Sequence, residues 1–527
     1  MVSPPEWNKK LAGLVSSKRK STPVIFLCGP KSSGKSTFGR LLANRLITDQ
    51  GGDPKRPWSQ VAILDIDPGQ PEFGPPGVIS LNIISAPNLS PSFCHPTLDP
   101  VRSQPRAHAI ASVTPALDPT HFVESVLDLF SHYKQNPALS KHPLIINTPG
   151  WIQGTGLAIL CELVKGIKPT EVIYMSQDGP EETVDSLRTV CADGSSTGGH
   201  IPFHTLPSQQ SSDSAARTSL HLRTMQAISY FHLKWASLAP PSQHHVWNPV
   251  SLSEIRPWRV RYRGPNRGFV GVLCYDYQPA PDLLSETING MFLALVRVDS
   301  ETAFRDLIQV NSSTKVTDID TDASAEQKEK AATLKGIMFT KREGIPMIQN
   351  PQGRTLDPRH SRCLGLVLVR GIDSDRGELQ LLTPMSKDVL RSGDDKHQKS
   401  EGENLVLVAG KFDTPSWAYA EDLHKRAFVS LPGGTGKSGS VPTFTAEEDA
   451  DAAEEMGVEE DEEEKSEGDE ETENIVSEDE SEQISQGVKR GRVEYAEMPW
   501  VEKLHGSQKR SVGSTVWRVR RDLGRSS

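Results

Sequence analysis

The sequence has few of the features expected of a secreted, disulfide-stabilised or membrane-spanning protein. Its 527 residues include six cysteines without a C-x-x-C pair, which argues against a disulfide framework or zinc ribbon and suits a reducing intracellular compartment. No apolar run approaches the roughly 18 residues that a membrane helix needs, so we expect no membrane partner. The N-terminus lacks the apolar block of a secretory signal.

The net charge of −10 by itself argues against a nucleic-acid partner, but its distribution removes that objection. The segment 447–482 holds 21 acidic residues and one lysine, and the other 491 positions carry 57 basic and 47 acidic residues. So acidic and so poor in aromatics, 447–482 is predicted to be disordered. The remainder is a mildly basic body, which suits a phosphate-backbone substrate.

The order of predicted elements indicates a P-loop type α/β fold. Strands are predicted at 24–28, 61–65, 144–146 and 171–175, with helices between them at 121–133 and 156–165, and this alternation is typical of a parallel sheet with flanking helices. Short β-like runs follow from about 245. We predict a leader (1–22), an α/β domain (23–240), a smaller β-rich domain (241–431), a Gly/Ser and acidic linker (432–483) and a basic tail (484–527).

The strongest motif is a complete G-x-x-x-x-G-K-[ST] between a predicted strand and helix. Its glycines let backbone N–H groups surround phosphate oxygens at the positive end of the helix. Lys35 is expected to reach the β- and γ-phosphates, and the Ser36 hydroxyl to ligate Mg²⁺. The predicted ATP-binding residues are Gly29, Pro30, Lys31, Ser32, Ser33, Gly34, Lys35, Ser36 and Thr37.

Two carboxylates, Asp65 and Asp67, follow the strand 61–65 in the sequence DIDPGQ. Loops at the carboxyl ends of parallel strands converge on one crevice, so these groups should face the phosphates. One can hold Mg²⁺ through water while the other accepts a proton from a substrate hydroxyl. The alternative is a capped turn, because Asp-Pro-Gly is also good turn chemistry.

The segment 147–151, NTPGW, follows another strand. A G-protein would have D-x-x-G there and an N-K-x-D sequence elsewhere, and both are missing, which favours ATP over GTP. Trp151 is a candidate platform for stacking a nucleobase, or else a core residue at the sheet edge.

Arg217 and Arg223 lie at the end of a Ser/Thr/Gly-rich stretch, 191–219, predicted to be a mobile loop, and in the helix that follows it. Phosphoryl transfer needs cationic donors on the migrating group, which these arginines can supply. The alternative is an ordinary solvated helix face.

Together these motifs resemble the eukaryotic polynucleotide 5′-hydroxyl kinase family. The resemblance rests on GPKSSGKST, DIDPGQ, NTPGWIQGTG and an arginine-bearing segment before YFH, over about residues 24–235. It implies Lys35 and Asp67 as catalytic residues, with Asp67 the base on the RNA 5′-hydroxyl, and Arg217 and Arg223 as lid arginines. It further implies Ser36 and Asp65 as metal ligands, and a substrate-binding set of Gln70, Asn147, Thr148, Gly150 and Trp151.

PEFGPPG and the terminal block after Met498 look more like the nucleolar member of that family. This implies a nucleolar kinase of pre-ribosomal RNA processing at the second internal transcribed spacer, with a partner endonuclease docking on the C-terminal domain and tail. Trp517, Arg518, Arg520 and Arg521 would lie at that contact. The basic runs SSKRK and KRGR are either nuclear localisation patches or solvated stretches.

Family members usually carry a substantial domain before the P-loop, whereas Gly29 is near the start here, so we expect a lost domain or a truncated gene model. Two other functions are considered: a catalytically weak, ATP-binding scaffold subunit of an RNA-processing nuclease complex, and a nucleotide switch related to P-loop ATPases of protein targeting. The arginine segment and NTPGW argue against the switch.

Overall fold

The structure is a computed structural model, and much of the C-terminal third lies outside its described residues. It describes residues 3–16, 22–48, 58–96, 106–177, 179–193, 200–209, 217–234, 246–264, 267–305, 307–308, 336–385 and 404–421. The predicted acidic segment, the basic tail and both basic runs lie outside these ranges, apart from Ser16 at the start of SSKRK.

The first sheet has seven strands in the order β4-β3-β2-β5-β1-β6-β7. Five of them, β2, β5, β1, β6 and β7, run parallel, while β3 is antiparallel to β2 and β4 to β3. The strands are β1 (Val24–Cys28), β2 (Val61–Asp65), β3 (Val78–Ile84), β4 (Arg106–Ala109), β5 (Leu144–Asn147), β6 (Glu171–Tyr174) and β7 (Phe203–Thr205). The prediction of a P-loop type parallel sheet is confirmed, and the antiparallel edge is an addition to it.

Helices cover both faces of this sheet. They are α1 (Pro5–Ser16), α2 (Lys35–Thr48), α3 (Pro119–Gln135), α4 (Pro137–Ser140), α5 (Thr155–Ile167), α6 (Glu181–Asp193) and α7 (Ser219–Phe231). Side chains of a strand alternate between faces, so Phe26 of β1 packs with α3, α5 and α6, while its neighbours Ile25 and Leu27 pack with α1 and α2. In the described part, no helix is long and apolar enough to cross a membrane.

The predicted leader contains helix α1, which packs against the P-loop helix. Trp7, Leu11 and Leu14 are buried at helical spacing, and the Trp7 ring meets that of Phe38 edge to face with centroids 5.5 Å apart. The predicted loop 191–219 likewise supplies the last residues of α6 and all of β7. A three-residue strand such as β7 has too short an alternation to be recognised without its partner strand.

The second sheet has eight strands in the order β11-β12-β9-β15-β10-β13-β14-β8. The strands are β8 (Trp258–Arg261), β9 (Val272–Cys274), β10 (Phe292–Val298), β11 (Ile337–Phe339), β12 (Pro346–Ile348), β13 (Ser361–Asp373), β14 (Glu378–Leu382) and β15 (Leu405–Ala409), with the short helix α8 (Leu284–Ile288) between β9 and β10. Six coincide with the predicted β-like runs; the three-residue strands β11 and β12 do not. Tyr262 beside β8 and Ile345 beside β12 belong to one apolar cluster, which extends across this sheet.

The two sheets are joined by a continuous apolar cluster within one compact unit, Met1–Tyr419. Phe231 at the end of α7 stacks on Phe292 of β10 with ring centroids 5.0 Å apart, and the backbone N–H of Leu366 donates to the Tyr230 hydroxyl at 2.9 Å. The predicted domain boundary at 240 lies outside the described residues, and described residues before and after it belong to this one apolar cluster. The boundaries themselves stay a prediction.

Candidate active site

The P-loop curls between β1 and α2 with Lys35 as the first residue of the helix. Gly29 and Gly34 have φ angles of +141° and +95°, which favour glycine. The Lys35 ammonium donates to the carbonyl oxygens of Gly29 and Pro30 at 2.8 and 2.7 Å, so it lies inside the curl. Burial lowers the pKa of Lys35 to about 8, and the charge of Asp67 opposes that shift.

Neighbouring segments hold the P-loop from two sides. A Cβ atom at Gly34 would lie 2.6 Å from Cη2 of Trp7, and one at Gly150 would lie 2.6 Å from the Lys31 Cα. The Trp7 indole also donates to the carbonyl oxygen of Pro207 at 2.8 Å. The shape of the phosphate-binding loop thus depends on helix α1 and on the NTPGW loop.

The sheet order brings Ser36, Asn147 and Asp65 together. Because β5 lies between β1 and β2, Asn147 is in register with Asp65 on the neighbouring strand. The Asn147 side-chain amide donates to Oδ1 of Asp65 at 3.1 Å, and the Ser36 hydroxyl donates to Oδ1 of Asn147 at 3.4 Å. Burial raises the pKa of Asp65 to about 7.

The donor set of Ser36 and Asp65 fits magnesium. Mg²⁺ prefers oxygen ligands and is usually held by one or two carboxylates together with substrate phosphates. A hydroxyl and a buried carboxylate next to the P-loop match that requirement. Within the described ranges no group of three or more His, Cys, Asp or Glu side chains could hold a metal, so the phosphates would have to complete the site.

Asp67 forms the capped turn that was the alternative for this motif, and its role as a base stays a prediction. Its Oδ1 accepts the backbone N–H groups of Gly69 and Gln70 at 3.0 and 3.1 Å, which is a capped turn. Burial raises the pKa of Asp67, while the nearby charges of Lys35 and Arg223 oppose the rise. The carboxylate therefore lies within electrostatic reach of two cations. The Gln70 residue is exposed at the same loop.

A buried network centred on Glu72 supports this loop and was missed from the sequence. Oε1 of Glu72 accepts from Nε of Arg40 and Nδ2 of Asn88 at 3.0 Å, and contacts Nε2 of His95 at 3.1 Å. The Glu72 backbone N–H donates to Asp65. The network thus connects Asp65 to α2 through Arg40. The only sequence signal was that Glu72 belongs to the PEFGPPG segment.

The NTPGW loop packs against the first sheet instead of extending into solvent. The Thr148 hydroxyl is buried and donates to the Leu27 carbonyl oxygen at 2.9 Å, which fixes the loop to β1. Trp151 is half-buried, packs against the core of the first sheet and faces Gly156, where a Cβ atom would lie 2.7 Å from its Cγ. Its environment fits the core interpretation and leaves part of the ring accessible. Stacking on a base stays a prediction.

The two predicted lid arginines occupy different environments. Arg217 is exposed, one residue before the Thr218 cap of α7. Arg223 lies in α7 and pairs with Asp413, just after β15, with 2.5 Å between its Nε and Oδ2 of that carboxylate. Asp413 and Trp7 are the other residues around the site that the sequence did not indicate, since each is distant in sequence from every motif.

Comparison with known proteins finds relatives of the P-loop region and of the whole chain. Residues 29–232 match the family described as the mRNA cleavage and polyadenylation factor CLP1 P-loop. The whole chain is 41% identical to the polynucleotide 5′-hydroxyl-kinase GRC3 of Gibberella zeae, and 80% of it is 36% identical to the corresponding kinase of Aspergillus niger. The chain spans 64% and 51% of the length of these two relatives.

Among solved structures, a wild-type Clp1p–Pcf11p complex superposes with a TM-score of 0.46 at 12% identity, over 78% of this chain and 82% of that one. With the P-loop match and the fungal relatives together, the resemblance to the eukaryotic polynucleotide 5′-hydroxyl kinase family that the motifs indicated is confirmed.

Proposed function

We propose that this protein is an ATP- and Mg²⁺-dependent kinase that transfers the γ-phosphate of ATP to the 5′-hydroxyl end of RNA. The observation that carries the proposal is the position of Asp67, whose carboxylate interacts electrostatically with Lys35 of the P-loop and with Arg223. A hydrolase has to orient a water molecule, whereas a kinase needs a base for an alcohol acceptor, and Asp67 suits that role.

The chain's residues divide the reaction between them. Backbone N–H groups of the P-loop and the positive end of α2 bind the phosphates, and Lys35 follows the charge on the γ-phosphoryl group. Asp67 takes the proton from the 5′-hydroxyl. The hydroxyl oxygen bonds to the γ-phosphorus while the bond between that phosphorus and the ADP oxygen breaks. Magnesium held by Ser36 and Asp65 would neutralise charge on the β- and γ-phosphates. Arg223 can stabilise the charge on the migrating group.

The biological setting is part of the same proposal. Pre-ribosomal RNA cut in the second internal transcribed spacer is the proposed substrate, and a partner endonuclease is proposed to dock on the C-terminal domain and tail. The nucleus, and within it the nucleolus, is the proposed location. The names of the fungal relatives and the mildly basic body support a polynucleotide substrate.

The test is transfer of labelled γ-phosphate from ATP to an RNA oligonucleotide with a 5′-hydroxyl, beside the same RNA already 5′-phosphorylated. We expect label only on the hydroxyl RNA, and loss of roughly 10²–10⁴-fold in kcat for Asp67→Asn with ATP binding retained. Asp375→Asn, an exposed acid in the β13–β14 turn, is the matched control.

A well-folded wild-type protein that transfers no label would contradict the kinase. The scaffold alternative predicts the reverse pattern: Asp67→Ala would leave complex formation and RNA processing unchanged in cells.

A further inference from the structure

We infer that Asp413, in the segment that follows β15 of the second sheet, is a positioning residue for Arg223 during phosphoryl transfer. The inference rests on the proposed kinase activity and adds to it a residue that lies outside all the P-loop motifs. It would make the catalytic site a joint product of the two sheets.

The contact itself is a charge-assisted pair at the edge of the site. Nε of Arg223 donates to Oδ2 of Asp413 at 2.5 Å, and Nη2 donates to Oδ1 at 3.4 Å. A guanidinium has five N–H donors in a fixed fork, so one carboxylate orients the group without using all of them. Gln226, three residues later on the same helix, donates to the carbonyl oxygen of Gly74 at 2.9 Å, so the oriented fork lies beside the loop that carries Asp67.

Asp413 is held in place by the segment that precedes it. A Cβ atom at Gly410 would lie 2.1 Å from the Ala111 carbonyl oxygen, and Lys411 forms a parallel β-bridge with Ser112. Phe412 is buried against Gly77, where a Cβ atom would lie 2.4 Å from its ring. The Gly77 N–H in turn donates to the carbonyl oxygen of Pro68, the residue after Asp67, at 2.8 Å.

Helix α7 is anchored at two positions on the C-terminal side of Arg223. The Gln226 amide, one turn later, donates to the Gly74 carbonyl oxygen at 2.9 Å, and Tyr230 bonds to the backbone of Leu366. With the helix fixed, the direction of the arginine depends on its own side-chain rotamer. Asp413 selects that rotamer, because it is the carboxylate paired with the guanidinium.

This arrangement predicts an effect on rate rather than on stability. The side chains of Arg223 and Asp413 are 15% and 32% exposed, and partly exposed ion pairs contribute little to folding. A misdirected cation near a transferring phosphoryl group, by contrast, lowers the rate substantially. Asp413 should therefore influence kcat far more than Tm or ATP affinity.

The experiment is a double-mutant cycle in the phosphate-transfer assay, with Asp413→Asn, Asp413→Ala and Arg223→Ala singly and combined. We expect kcat to fall about tenfold for Asp413→Asn and up to about a hundredfold for Asp413→Ala, with KM for ATP changing less than about twofold. In the Arg223→Ala background, either change at Asp413 should alter kcat less than about twofold. Asp375→Asn serves as the control.

Equal effects of Asp413 changes with and without Arg223 would overturn the inference, as would a loss confined to Tm and ATP binding. In both cases the wild-type protein still transfers phosphate, so the kinase proposal survives. Absence of transfer by the wild-type protein is the separate outcome that overturns the proposed function and this inference with it.

Discussion

Asn147 donates a hydrogen bond from its side-chain amide to Oδ1 of Asp65 at 3.1 Å, across the boundary between two parallel strands. The other atom of the same amide accepts the Ser36 hydroxyl. A neutral side chain therefore connects the P-loop serine to the buried carboxylate. Because the Asn147 side chain is neutral, no second carboxylate lies beside Asp65 at this position.

Replacing Asn147 with Asp should disable the site. Two adjacent buried carboxylates cannot both ionise readily, so the pair would share a proton at neutral pH and would be a poor ligand for Mg²⁺. We expect phosphate transfer to fall at least about tenfold, more steeply at low Mg²⁺. The control is Asn136→Asp at the cap of α4, where Asp caps a helix as well as Asn does. Equal losses in both variants would refute this explanation.

Asp65→Asn should stabilise the protein above neutral pH while abolishing transfer. The fold raises the pKa of Asp65 from 3.8 to about 7, so burying the ionised carboxylate destabilises the folded state. This destabilisation is small near pH 4 and reaches its full size above pH 7. Removing the charge should raise the free energy of unfolding by about 1–3 kcal/mol at pH 8 and by little at pH 4. Urea unfolding at both pH values measures this change in the free energy of unfolding. A larger increase at pH 4 than at pH 8 would contradict the predicted direction.

Gly150→Ala should deform the P-loop from outside. The added Cβ would lie 2.6 Å from the Lys31 Cα, a backbone atom that cannot rotate away. We expect ATP affinity to fall by about tenfold or more because the loop's N–H groups lose their arrangement around the phosphates. Gly13→Ala in α1, with nothing within 4 Å of the new atom, is the matched control and should retain affinity. Fluorescent ATP-analogue titration distinguishes the two.

Trp7→Ala should weaken both the fold and nucleotide binding. The side chain is fully buried against Phe38 and Gly34, so its truncation should cost about 3–5 kcal/mol. Trp7→Phe keeps much of the packing and removes the hydrogen bond to Pro207, so it should lie between wild type and alanine in Tm. A Trp7→Ala protein with unchanged Tm would show that α1 is not integral to the P-loop layer.

The rate of transfer should increase with pH through the acid range. Asp67 acts as a base only when ionised, and burial raises its pKa above the usual value, so its protonation should limit kcat at a higher pH than for an ordinary aspartate. The acid limb should disappear from the residual activity of Asp67→Asn. An identical acid limb in that variant would assign the titration to another group.

The sequence by itself determined the nucleotide site and the parallel core of the first sheet. The P-loop is a local motif whose chemistry resides in consecutive residues, and β1 and β2 begin and end where the apolar runs predict. The sequence also predicted that Asp65 lies beside the P-loop, because the carboxyl ends of parallel strands converge on one edge, and its hydrogen bond to Asn147 places it there. The second sheet's longer strands were predicted for the same local reason.

Only the tertiary structure decided which groups complete the site. Asn147 became a link between Ser36 and Asp65 because β5 lies between β1 and β2, and strand order is not written in any one segment. Trp7 lies 200 residues from its partner Pro207, and Arg223 lies 190 from Asp413. Such contacts depend on how separate elements pack, and neither periodicity nor spacing along the chain records that.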